Sequence, residues 1–292
     1  MSYHTPVLLP QVIAGLAIKP DHWYIDATVG GGGYAVEILK NGGNVLGIDT
    51  DSEAIAYTRN RLMTDTPHFN EGRRWRLVQS NFRYLDTIVR QERLEKVSGI
   101  LFDLGFSSHQ IDTKERGMSF RFPEQPFDLR LNQQEGESAS VLINRLSKEE
   151  LYEILAKYGE EERSDTISDY LYRARRVKSF ETIGDVIAVM EKVPKLPDRN
   201  GSLARVFQAF RIAVNDELGA LKEGLAAAQT ILATDGRLCV ISFHSLEDRI
   251  VKQFFRNGSW RLVNSQIIIA EQSERMENRR SRSAKLRSGE KL

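Results

Sequence analysis

A single cysteine, Cys239, in 292 residues excludes a disulfide framework and any zinc site built from several thiolates. No apolar run approaches the roughly 18 residues of a membrane span. The opening Met1-Ser2-Tyr3-His4-Thr5-Pro6 lacks the charged and apolar regions of a signal peptide. Neither charge is in excess: 41 Lys and Arg stand against 40 Asp and Glu. No global field therefore draws in nucleic acid or membrane, and such a partner has to be held by a local patch. Repeats and low-complexity tracts are missing too. What remains, 41% hydrophobic and 28% charged, is the composition of a globular protein too apolar to stay disordered. The expectation is a cytoplasmic protein of one domain with a large insertion, or of two, with no membrane, metal or disulfide partner.

The first hundred residues alternate short apolar β-type runs with helical patterns, which predicts a parallel sheet covered by helices. Strands are expected over Trp23–Val29, Asn44–Ile48, Arg74–Gln79 and Val97–Phe102. A helix begins after Gly33, carries Ala35, Ile38 and Leu39 on one face, and stops at Asn41-Gly42-Gly43. From about Asp112 to Arg199 the pattern changes to short amphipathic helices, preceded by a Phe-, Pro- and Arg-rich loop over Gly117–Asn132. One long helix is expected from about Ser202 to Ala233, on the stripe Leu203, Phe207, Phe210, Val214, Leu218, Leu221 and Leu225. Gly236–Phe243 reads as a fifth strand, and Ser245-Leu246-Glu247-Asp248 as a helix start with a capping-box pattern. Trp260–Val263 and Gln266–Ile269 read as a closing hairpin. The expected architecture is α/β, a doubly wound, mostly parallel sheet over residues 1–111 and 200–292, interrupted by an inserted helical domain over 112–199.

Gly30 to Gly33, between a strand and a helix, let the backbone turn sharply and approach a ligand where a Cβ would clash. Asp49 ends the next strand, 19 residues after Gly30, where an acid accepts hydrogen bonds from ribose hydroxyls. Gly30-x-Gly32-x-x-Ala35 also fits the relaxed dinucleotide fingerprint. Asp26 separates the two nucleotide readings: a dinucleotide-binding strand stays apolar up to its first glycine, and here an acid stands four residues before it. An S-adenosylmethionine site uses such an acid to order the loop and the cofactor's amino-acid end. Asp103-Leu104-Gly105-Phe106-Ser107-Ser108-His109-Gln110 follows the fourth strand, so Asp103 is expected beside the glycine loop at the switch in strand order. His109 reads as a loop histidine, His244 as packed or capping, and Cys239 as core.

With these residues in hand, the chain resembles the bacterial 16S rRNA (cytosine-N4)-methyltransferase family, RsmH/MraW. The resemblance runs through His4–Leu9, the glycine loop, Gly47–Asp51, Ile100–Gln110, Glu115–Phe120, Phe127–Arg130, Phe207–Leu218, Ile241–Lys252 and Arg282–Arg287. It implies a class I (Rossmann-like) methyltransferase fold and N4-methylation of a decoding-centre cytidine in 16S rRNA of the small ribosomal subunit, with S-adenosyl-L-methionine as cofactor. It also implies cofactor binding by Gly32, Gly33, Tyr34, Asp49, Phe82, Asp103 and Gln110. Tyr34 stands where the family usually has His, and Asn200–Arg205 replaces the usual His-Pro-Ala-Thr segment.

Asp103 is the catalytic candidate, because a carboxylate accepting one N4–H bond turns the amine's lone pair toward the methyl group. Phe106, Phe120 and Phe122 are candidates for stacking on the base, or are packing residues. Two basic runs, Arg279, Arg280, Arg282, Lys285 and Arg287 in the tail and Arg173, Arg175, Arg176 and Lys178 in the insertion, are candidate phosphate contacts, or solvated charge. Two other readings are a nicotinamide-dependent oxidoreductase, which lacks a positioned proton donor here, and a non-catalytic RNA-binding module. The second leaves Asp26, Asp49 and Asp103 without a purpose.

Overall fold

The structure, a computed structural model, describes residues 6–106 and 108–292, with the side chains at 108, 109 and 115 left aside. The expectations placed on His4, Thr5, Ser107, Ser108 and Glu115, and on the ring of His109, fall outside what is described. The chain forms two compact units, residues 1–107 with 218–292, and residues 108–217.

The first unit opens with α1 (Leu9–Leu16), β1 (Trp23–Asp26), α2 (Gly33–Lys40), β2 (Asn44–Asp49), α3 (Ser52–Asp65), β3 (Trp75–Gln79), α4 (Leu85–Gln91) and β4 (Val97–Asp103). The second unit holds α5 (Ser108–Asp112), α6 (Ala139–Arg145), α7 (Lys148–Gly159), α8 (Ser164–Arg175), α9 (Ile183–Lys192) and α10 (Arg199–Asn215). The chain then runs through α11 (Glu217–Ile231), β5 (Leu232–Ser242), α12 (Ser245–Asn257), β6 (Trp260–Leu262), β7 (Ile268–Ile269), α13 (Gln272–Glu277) and β8 (Lys285–Lys291).

The strands lie in the order β3-β2-β1-β4-β5-β8-β6, with β7 also paired to β8. β1 to β5 are mutually parallel, whereas β8 runs antiparallel to β5, β6 and β7. Alternate residues of each strand face opposite sides. Tyr24, Leu101, Cys239 and Ile241 pack on one face with Val12 and Leu16 of α1, and Ile25, Ile100, Phe102 and Val240 pack on the other with Ile88 and Leu225. Both faces are dry, as a helix-covered parallel sheet requires. The chain leaves β1 toward β2 and β3 and returns on the other side at β4, so the ends of β1 and β4 flank the switch point.

Four expectations need correction. Trp260–Leu262 and Ile268–Ile269 do not form a hairpin; each pairs with β8, at opposite ends of that strand. The long helix is broken at Asp216, which adopts a left-handed conformation (φ 47°) and lets Asn215 end α10. α10 packs Leu203, Val206, Phe207 and Phe210 into the core of the second unit, beside Phe127, Leu155 and Leu171. The second unit therefore runs to Glu217, not to residue 199, because the boundary follows this buried face and not the change in sequence pattern. The capping box is shifted by one residue: His244 is the N-cap of α12 and Glu247 its partner, so Asp248 stays free of the cap.

Candidate functional site

The site is built at the switch point by backbone that turns early. β1 ends at Asp26 and not at Val29, although Ala27 and Val29 still donate to the carbonyls of Leu101 and Ile48. The turn needs glycine at Gly30 and Gly32, which take positive φ of 47° and 72°. α3 ties it down, the Thr58 hydroxyl donating to the Gly30 carbonyl at 2.6 Å and Arg61 to the Gly31 carbonyl at 2.7 Å. Gly33 serves packing: a Cβ there would lie 2.2 Å from the Pro6 ring.

Three acids converge on this turn. Asp26 is fully buried; one oxygen accepts the Thr28 N–H at 3.3 Å, and the other, Oδ2, has no hydrogen-bond partner. Burial pushes its carboxyl up to about 8, the Thr28 N–H opposing and the charges of Asp103 and Asp49 adding to the rise. Asp49 ends β2 and accepts Gly30 N–H on Oδ2 and Asp51 N–H on Oδ1, both at 2.9 Å. Burial lifts its carboxyl to about 6 against those N–H groups. A carboxylate has about four lone-pair positions, so Asp49 retains acceptor capacity for a ligand.

Asp103 ends β4, and its N–H donates to the Thr28 hydroxyl at 2.7 Å, stitching the ends of β1 and β4 together. Its carboxylate accepts two bonds from the Arg280 guanidinium, 2.9 Å to Oδ2 and 3.2 Å to Oδ1. Burial raises its carboxyl above the ordinary value, Arg280 pulls it down, Glu247 pushes it up, and the nearby Tyr34 hydroxyl pulls it down. Tyr34 is buried and donates to the Val7 carbonyl at 2.6 Å, so the residue that departs from the family pattern anchors the start of the chain against the site.

The other expected positions are placed as follows. Phe82 is half-buried, edge-on to Phe102 at 5.4 Å. Gln110 is buried in α5, in the second unit. In that unit Phe120 meets Phe207 edge-on at 5.7 Å, and the Phe122 ring lies under Lys114 and Arg121, each at 5.6 Å. Cys239 is core, its thiol pushed up to about 12 by burial and therefore inert. His244 is a helix cap.

Sequence reasoning did not place Thr28 or Glu247 at the site, and it named Arg280 only as a candidate phosphate contact, not as a partner of Asp103. Arg280 approaches Asp103 across 177 residues, Arg287 pairs with Asp248 at 2.8 Å, and Lys285 lies 3.6 Å from the same carboxylate. Lys285 and Arg287 belong to β8, a strand inside the sheet. Lys285 and Arg287 thus make fold contacts with α12, and Arg280 ties the tail to Asp103. Only the alternation of β8 (Leu286 and Ser288 buried, Lys285 and Arg287 half-buried) offered a local clue.

Five parallel strands with an antiparallel strand in sixth place, a glycine turn after the first and acids ending the first, second and fourth define a class I methyltransferase. The MraW methylase family model matches residues 1–292. A ribosomal RNA small subunit methyltransferase H from Bacteroides thetaiotaomicron is 41% identical over 310 residues, covering 100% of this chain and 98% of that protein. The protein of the same name from Heliobacterium modesticaldum is 39% identical over 316 residues, covering 99% of each. A solved rRNA methylase from Streptococcus thermophilus aligns over 97% of this chain and 95% of its own, with a TM-score of 0.47 at 12% identity. The chain belongs to the MraW methylase family, whose cofactor is S-adenosylmethionine. That membership leaves the oxidoreductase and the non-catalytic RNA-binding module without support. Among the described residues no helix is long and apolar enough to cross a membrane.

The residues suit that cofactor on two observations. The unpartnered Asp26 oxygen is a buried acceptor lacking a donor, as an ammonium group would supply, and the glycine turn presents backbone without side chains.

Proposed function

We propose that this chain methylates the exocyclic N4 of a decoding-centre cytidine in 16S rRNA of the small ribosomal subunit. The observation that carries the reading is the convergence of Asp26, Asp49 and Asp103 on one glycine turn, with an Asp26 oxygen left unpartnered. When bound, S-adenosylmethionine supplies a methyl group on a cationic sulfonium whose sulfur departs with the bonding electrons as a neutral thioether.

Asp26 and Asp49 are assigned to its amino-acid end and its ribose, with Gly32, Gly33, Tyr34, Phe82 and Gln110 as the remaining cofactor contacts. Gly33 and Tyr34 act from behind the turn, through Pro6 and Val7. Methyl transfer to a neutral amine moves positive charge without creating more, so alignment dominates, and proximity supplies about 7–11 kcal/mol. The cytosine N4 lone pair is delocalised into the ring and is a poor nucleophile. Asp103 accepts one N4–H bond, turns the lone pair out of the ring toward the methyl, and takes the proton released as the new C–N bond forms. The base leaves its stack at a cost of a few kcal/mol, smallest in an RNA loop. The exposed run Arg173, Arg176 and Lys178 on the second unit is assigned to RNA phosphate.

The test is nucleoside mass spectrometry of small subunits from an unmethylated strain after incubation with the protein and S-adenosylmethionine. N4-methylcytidine is the expected product. Methyl on another base or another cytosine atom overturns the assignment.

A further inference from the structure

Asp103 and Arg280 form an enclosed ion pair at the site. The carboxylate side chain is 5% exposed and the guanidinium 13%. Beyond its two bonds to Asp103, Arg280 Nη2 donates to the Leu104 carbonyl at 2.9 Å, and its guanidinium carbon stands 4.2 Å from the centre of the Phe243 ring. Both the plane and the position of the fork are thereby fixed. The 3-10 turn that carries it, Arg279–Ser283, is held by its own bonds: Asn278 Oδ1 accepts the Arg280 N–H, and the Asn278 carbonyl accepts the Ser281 hydroxyl at 2.8 Å. The turn therefore does not need the Arg280 side chain to keep its shape.

Resting on the proposed role of Asp103, we infer that Arg280 is a positioning residue for methyl transfer. Its guanidinium fork sets the plane of the Asp103 carboxylate and so the direction from which that carboxylate meets the N4–H. A buried carboxylate needs such a counter-charge. Among the described residues, the charged and titratable groups that face Asp103 include Glu247 on α12 with its partner His244, Asp26 on β1, the Tyr34 hydroxyl on α2, and Arg280. Glu247 and Asp26 repel its charge, and burial opposes it as well. Arg280 is the permanent cation among them. Without it burial and Glu247 push the Asp103 carboxyl further up, and a protonated Asp103 cannot take the proton that the amine releases. A lysine would keep the charge and lose the planar, bidentate hold.

Arg280→Gln, Arg280→Lys and Asp103→Asn are compared with the wild-type protein in two measurements. The first follows Asp103 directly, by carbon-13 NMR titration of cofactor-free protein labelled at aspartate, its resonance identified by its loss in Asp103→Asn. Arg280→Gln should move that titration to higher pH by about 1–3 units, the effect of removing an opposite charge in direct contact. Arg280→Lys should leave it near the wild-type value. The second measurement is single-turnover transfer against pH at saturating cofactor. The acid limb of Arg280→Gln should move with the titration, and the plateau of Arg280→Lys should fall at least about tenfold from misorientation.

An unchanged titration together with an unchanged rate profile in Arg280→Gln overturns the inference. If the Gln variant does not fold, a wild-type plateau in Arg280→Lys overturns it instead. A wild-type rate in Asp103→Asn removes the underlying role of Asp103, a result separable from either of these.

Discussion

Residues 279–287 and 173–178 carry the same kind of sequence, five basic residues in nine positions and four in six, with no acid in either. Their environments are opposite. In the first stretch Arg280 is held on Asp103, Arg287 and Lys285 share Asp248, and the Arg282 Nε donates to the Arg275 carbonyl. In the second, at the end of α8, Arg173 pairs with Asp169 one turn back while 77% exposed, and Lys178 pairs with Asp185 while 72% exposed. Val177 between them is 91% exposed. The difference is one of reach. A run at a helix end finds its acids within a few residues, and Arg173 and Lys178 stay in water, where such pairs contribute little. A run entering a sheet meets acids far off in sequence, on β4 and α12. Charge density alone therefore does not mark a phosphate-binding surface.

Truncation after Asn278 tests that contrast most severely. It removes β8 from between β5 and β6 and leaves the buried Cys239 and Val240 at a new sheet edge. The cooperative thermal transition and cofactor binding should both be lost. A truncated protein that melts cooperatively and binds S-adenosylmethionine normally would restore the tail to a dispensable arm.

Asp103→Asn comes next, since it keeps the shape and replaces the carboxylate on which Arg280 is held by a neutral amide that cannot take a proton. Turnover should fall by about 10²–10⁴-fold, the usual worth of a positioned acid or base, measured as single-turnover transfer with cofactor affinity followed separately. Asp49→Ala addresses the other side of the turn. It should weaken S-adenosylmethionine by about 1.5–3 kcal/mol, the range for a hydrogen bond to a charged group, and calorimetry showing equal affinity would remove Asp49 from the pocket.

Asp26→Asn should act on stability through pH. Between the ordinary carboxyl value of 3.8 and about 8, folded Asp26 holds a proton that the unfolded chain has released. The stability of the cofactor-free protein therefore falls as pH rises across that window. Asp26→Asn removes this slope, so its Tm should gain on the wild type more at pH 8 than at pH 5, and its cofactor affinity should drop. Equal Tm differences at both pH values would mean that Asp26 titrates normally.

The smallest expected effect belongs to Arg173→Ala/Arg176→Ala/Lys178→Ala. Surface changes of this kind shift stability by no more than about 0.5 kcal/mol. RNA affinity should fall, and its salt dependence should flatten by about 0.7 for each phosphate that is no longer neutralised. Unchanged salt slopes would show that this run does not touch phosphate.

The front of the site was legible because its signals are local. Gly30 to Gly33 state a sharp glycine turn, Asp26 and Asp49 sit at fixed distances from it, and short apolar runs mark β1, β2 and β4 as buried strands. A parallel sheet with such connections then has few ways to close, which puts the ends of β1 and β4 side by side. Other features carry no local signal. The break at Asp216, the reassignment of α10 to the second unit, the pairing of β6 and β7 with β8 and the Arg280–Asp103 ion pair each depend on which distant partner a residue meets. Composition and periodicity determined the first four strands, the place of the switch point between β1 and β4, and the identity of the three acids. Only the tertiary structure decided that a tail rich in arginine turns inward. A buried carboxylate at the end of β4 requires a counter-charge, and the one that reaches it lies 177 residues away in sequence.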